Sequence, residues 1–140
     1  MIRYLLDTNV LSEPLRPDPS PRVVAMLKRH QNALATAAPV WHELWFGYQR
    51  LPRSRKRAAI ERYLQDVVQP TVPVLPYDAS AAAWHASERA RLGRLGRVPP
   101  FVDGQIASIA RVNGLVLATL DRLLYATFED VQVEDWRESP

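Results

Sequence analysis

Short, continuously apolar runs alternate with longer segments of helical periodicity along all 140 residues of the chain. Ile2–Leu6, Ala33–Ala38, Val72–Leu75 and Leu115–Thr119 read as strands, with Val131–Val133 as a short last one. None shows the polar–apolar alternation of a strand with one wet face, so each has to be covered on both sides. Between them, Thr8–Leu15, Pro21–His30, Pro39–Leu51, Arg53–Val68, Ala79–Leu95 and Pro100–Asn113 read as helices. Prolines in "EPLRPDPSPR", "QPTVPVLP" and "VPP" mark the turns and helix starts. Ser20 and Asp78 stand where N-caps belong, and Gly114 closes the last long helix. Buried strands alternating with helices predict a short-stranded parallel sheet between two helical layers, a three-layer α/β/α sandwich. No repeat, low-complexity tract or linker divides the sequence, so one domain over residues 1–140 is expected.

Composition narrows the setting. The chain has no cysteine, which removes disulfides and thiolate metal sites and suits a reducing cytoplasm. Its N-terminus does not read as a signal peptide, and no run approaches the ~20 apolar residues of a membrane helix. A soluble cytoplasmic protein is the expectation. Eighteen basic residues, sixteen of them Arg, face fifteen acids, for a net charge of +3. That balance fits a polyanionic partner or simply an Arg-rich surface, and composition leaves both open.

The acids are more informative. In open α/β sheets, ligands bind beyond the carboxyl ends of the strands. Asp7 ends the first strand, and Asp121 follows "LVLATL". Asp103 lies in the first turn of the Pro100 helix, on the stripe shared with Ile106, Ala107 and Ala110. Glu43 lies one turn into the helix after "ALATAA", with Gly47 leaving room beside it. Each has an ordinary reading: Asp7 and Asp121 as caps, Asp103 as a first-turn acid facing the helix dipole, Glu43 as a solvated side chain. Taken together those readings weaken, because all four fall at strand ends or in the turns that follow.

Two carboxylates about 4 Å apart repel by ~1 kcal/mol in water and ~4 kcal/mol at an effective dielectric near 20. Four converging acids therefore take up protons or hold divalent cations. Oxygen donors without Cys or a His cluster suit Mg²⁺ or Mn²⁺. His30, His42 and His85 have no metal-ligand spacing and read as surface or packing residues. With the four acids set aside, eighteen basic residues face eleven acids, a balance of +7. An acidic pocket in a basic shell is what a metal-dependent nuclease needs.

"LLDTNVLSE", a Glu in the first helix after the second strand, "DGQIASIA" and "LATLD", in this order, resemble the PIN domain in its VapC/FitB-like toxin branch. The resemblance implies that Asp7, Glu43, Asp103 and Asp121 hold Mg²⁺ or Mn²⁺, with Thr8 and Asn9 orienting Asp7. It implies an endoribonuclease acting on RNA, tRNA among the candidates, as the toxin of a type II toxin–antitoxin pair. Such toxins are homodimers inhibited by an antitoxin protein. The chain departs from the pattern at "TLDRLLY": Leu120 stands where Arg is usual, and Leu124-Tyr125 where an Asp-Phe pair is usual.

That departure leaves room for a catalytically silent PIN-like module that binds RNA or a protein. A haloacid-dehalogenase-like enzyme would want Asp at position 9, where Asn9 stands, and a well-placed Lys. Two basic stretches, "RLPRSRKR" and "RARLGRLGR", read as solvated helix faces or RNA tracks, with Arg91, Arg94 and Arg97 on one face. Trp41, Trp45, Phe46 and Trp84 read as core, or in part as a dimer seam or antitoxin groove.

Overall fold

The structure is a computed structural model describing residues 1–138. Five strands form one parallel sheet: β1 (Tyr4–Leu6), β2 (Leu34–Ala37), β3 (Val74–Leu75), β4 (Val116–Ala118) and β5 (Val133–Glu134), in the order β3-β2-β1-β4-β5. Leu5 pairs with Ala35 on one side and Leu117 on the other. Neighbouring residues of a strand point to opposite faces, yet Tyr4, Leu5 and Leu6 are all buried, as are all four residues of β2. Both faces of the sheet are therefore covered, which gives the expected three-layer α/β/α sandwich.

The helices are α1 (Thr8–Leu11), α2 (Pro21–Arg29), α3 (Ala38–Arg50), α4 (Arg55–Arg62), α5 (Gln69–Thr71), α6 (Ala79–Arg94), α7 (Phe101–Val112) and α8 (Arg122–Tyr125). Ser20, Ser54 and Asp78 cap α2, α4 and α6 through their side chains. Gly114, at φ 66°, ends the turn after α7 and lets the Leu115 N–H reach the Ala110 carbonyl at 2.9 Å. Among the described residues no helix is long and apolar enough to cross a membrane.

Some boundaries differ from the expectation. Thr8–Leu15 is α1 followed by a separate 3₁₀ turn over Glu13–Leu15, because Pro14 has no N–H to continue the helix. The helix expected from Arg53 begins at Arg55 behind its Ser54 cap and becomes π-helical over Tyr63–Val68. There Leu64 and Val68 enter the core, and the Tyr63 hydroxyl donates to the Leu11 carbonyl at 2.6 Å. The last strand lies at Val133–Glu134, one residue further on than Val131–Val133 allows.

Arg91, Arg94 and Arg97 do not form one basic face. The helix ends at Arg94, and Arg91 turns inward to a buried Glu88. Arg91 Nε and Nη2 donate to the Glu88 carboxylate at 2.6 and 2.9 Å, and the Glu129 N–H donates to it at 2.8 Å. Arg91 also reaches the Thr127 carbonyl at 3.2 Å, so the group ties α6 to the segment after α8. The Arg91 hydrogen bond holds the Glu88 carboxyl below the usual range. Its stabilisation is present above the ordinary carboxylate pKa and is lost as pH falls through the lowered value. Glu88→Ala is expected to cost ~2 kcal/mol, read as a lower urea midpoint at neutral pH.

Candidate active site

The register of the central strands builds the site. The Asp7 N–H continues the ladder to the Ala118 carbonyl at 2.9 Å, so Asp7 and Thr119 leave the sheet side by side. Asp7 is 7% exposed, and both carboxylate oxygens are occupied. Oδ1 accepts from the Thr8 N–H at 2.8 Å, and Oδ2 accepts from the Thr119 hydroxyl at 2.7 Å. Asp7 thus does cap α1, as its ordinary reading required. That does not account for its burial: desolvation raises its pKa despite the two hydrogen bonds, and Glu43 raises it further.

Asp103 comes from the first turn of α7, whose Ile106, Ala107 and Ala110 are buried. Its pKa is raised by burial, lowered by the Tyr125 hydroxyl, and raised again by the charges of Asp7, Asp121 and Glu43. The charges of the other three acids therefore all reach this carboxyl. Glu43, exposed on α3, accepts from the Thr8 hydroxyl at 2.7 Å. Asp121 precedes α8 with no side-chain cap bond, and its N–H donates to Thr119 Oγ1 at 3.0 Å. Gly47 has open space at its Cβ position.

Thr8 and Asn9 hold the frame in different ways. Thr8 links Asp7 to Glu43, through its N–H and its hydroxyl respectively. Asn9 Oδ1 accepts from the Leu120 N–H at 3.1 Å, while Arg137, paired with Asp135, donates to the Leu120 carbonyl at 2.9 Å. Leu120, where the family pattern has Arg, is thus pinned at both ends of its residue by residues from the two chain ends. Sequence reasoning did not single out Thr119, and it marked Tyr125 only as a departure from the family pattern. Thr119 is the hub between Asp7 and Asp121. Tyr125, 1% exposed, donates to Asp103 Oδ1 at 3.3 Å.

Among the described residues no three His, Asp or Glu side chains form a ready-made cation cage. The donor set nevertheless fits a small hard cation. It is made of oxygens, its two inner carboxyls are buried or half-buried, and its outer acids are exposed. Arg16 pairs with Glu13, Arg122 with Glu138 and Arg137 with Asp135.

The histidines are packing and surface groups. His85 is buried with Nδ1 2.8 Å from the Tyr77 hydroxyl, His30 lies against Tyr4, and His42 stacks on Phe46. Of the aromatics, Trp41, Trp45 and Trp84 are partly buried against the core, while Phe46 is exposed under Arg50.

A parallel sheet with four acids at its carboxyl edge defines a class, and the comparisons agree. The PIN domain model matches residues 4–129, and the chain belongs to that family. Its relatives include toxins and ribonucleases. Toxin FitB of Neisseria gonorrhoeae is 35% identical over 125 residues, 84% of this chain and 86% of the relative. The tRNA(fMet)-specific endonuclease VapC of Shigella flexneri is 31% identical over 139 residues, 97% of this chain and 99% of the relative. The structure of FitAB bound to a DNA fragment superposes with a TM-score of 0.88 at 30% identity, covering 98% of this chain and 97% of that one.

Proposed function

We propose that this chain is a Mg²⁺- or Mn²⁺-dependent endoribonuclease, the toxin of a type II toxin–antitoxin pair, with tRNA among its substrates. The observation that carries this reading is Asp103, a half-buried carboxyl pushed up first by burial and then by the charges of Asp7, Asp121 and Glu43. Such mutual repulsion weakens a fold unless the acids have a cation to hold. Asp7 and Asp103 would be the inner ligands, with Glu43 and Asp121 completing the set. A bound divalent cation supplies charge stabilisation at the scissile phosphate and lowers the pKa of water. The chain's own residues do the positioning: Thr119 and the Thr8 N–H fix Asp7, the Thr8 hydroxyl holds Glu43, and Asn9 holds the loop before Asp121. Arg53, Arg55 and Lys56 are exposed and suit an RNA backbone.

The relatives extend the reading to partners. A tRNA(fMet)-specific endonuclease among them favours a structured RNA, and FitAB and VapBC structures favour an antitoxin partner. A homodimer in the cytoplasm completes the proposal, with the exposed Phe46 suited to a protein interface.

The test is cleavage of a purified tRNA pool in Mg²⁺, Mn²⁺ or EDTA, by the wild type and by Asp103→Asn. Discrete fragments that disappear in EDTA and with the variant are expected. Cleavage that survives in the Asp103→Asn protein would remove Asp103 from the site. RNA binding without cleavage in any metal would favour the silent module.

A further inference from the structure

Tyr125 brings a neutral hydroxyl to Asp103, one of the two inner acids. It belongs to α8, the turn that begins directly after Asp121, and its N–H faces the Asp121 carbonyl at 3.5 Å. Its ring is buried beside Phe128, centroids 6.1 Å apart. From there the hydroxyl donates to Asp103 Oδ1 at 3.3 Å.

A lone carboxylate oxygen with no donor is free to rotate between orientations. A donor fixed by a buried ring removes that freedom and leaves the other oxygen turned toward the shared space. Thr119 does this for Asp7 from the β4 side. Asp103 has no such partner among the strands, and Tyr125 supplies it from α8. We infer that Tyr125 is a positioning residue for the cation site, its hydroxyl holding the Asp103 carboxyl in an orientation that binds a divalent metal. The inference rests on the cation reading of the four acids.

Mn²⁺ binding, followed by loss of the free-ion electron paramagnetic resonance signal, tests it on the full chain. The wild type, Tyr125→Phe and Asp103→Asn are titrated in parallel, with circular dichroism and melting in EDTA as the check on folding. Tyr125→Phe is expected to fold like the wild type and to bind Mn²⁺ ~10–100-fold more weakly. Its cleavage defect should shrink as Mn²⁺ is raised to saturation, which a loss of packing would not do. A Tyr125→Phe protein that binds Mn²⁺ as tightly as the wild type, or more tightly, overturns the positioning role alone. A wild type whose Mn²⁺ binding is absent, or is unchanged by Asp103→Asn, overturns the cation reading and this inference with it.

Discussion

Asp7→Asn is expected to lower RNA cleavage by roughly 10³-fold while raising the melting temperature of the metal-free protein. The loss follows from removing an inner ligand, because several kcal/mol of charge stabilisation corresponds to tenfold in rate per 1.36 kcal/mol. The gain in stability follows from the environment. Asp7 is buried beside Glu43, and its carboxyl is pushed above the usual range. The folded protein therefore retains a proton that the unfolded chain has released. That contribution is greatest below the ordinary carboxylate pKa and disappears as pH rises through the raised value.

Asn keeps an acceptor for the Thr8 N–H and carries no charge. The wild type should therefore gain stability relative to Asp7→Asn on going from neutral to mildly acidic pH in EDTA. Comparing the two proteins isolates the effect, since Glu88 and Asp135, held low by Arg91 and Arg137, are common to both. Mn²⁺ should raise the melting temperature of the wild type and leave the variant unchanged. A variant less stable than the wild type at neutral pH in EDTA would make Asp7 chiefly a helix cap.

Gly104→Ala is the substitution expected to damage the fold most for its size. A Cβ at Gly104 would stand 2.7 Å from His85 Cδ2 and closer still to Nε2. The imidazole cannot step aside, because it is buried, bonded to the Tyr77 hydroxyl at 2.8 Å and packed on Phe101 with centroids 4.8 Å apart. In an open helix interior, alanine would instead stabilise by ~1 kcal/mol, so a net loss measures the clash. Overpacking of this kind costs ~1–3 kcal/mol, read from the urea midpoint. Gly104 adjoins Asp103, so α7 cannot retreat from α6 without moving that acid, and cleavage should fall with stability. Adding His85→Ala to Gly104→Ala should recover part of both. Two losses that simply add would mean the residues do not oppose each other.

Much of this site was legible because it is written locally. The strand ends at Asp7 and before Asp121, the first turn holding Asp103 and the helix start before Glu43 follow from apolar runs, prolines and periodicity. A rule about where strands end then brings the four acids to one edge. The errors were local as well: Pro14 broke a helix read as continuous, and a buried Glu88 drew Arg91 away from a basic face.

What the sequence determined by itself was the order of elements, the parallel sheet and the edge that carries the acids. Those depend on residues a few positions apart, and on the requirement that apolar strands be covered on both faces. The tertiary structure alone decided the partners of the carboxylates. Thr119 meets Asp7 across 112 positions, Tyr125 meets Asp103 across 22, and Thr8 meets Glu43 across 35. No local pattern encodes such pairs, because each depends on strand register and helix packing that exist only once the chain has closed.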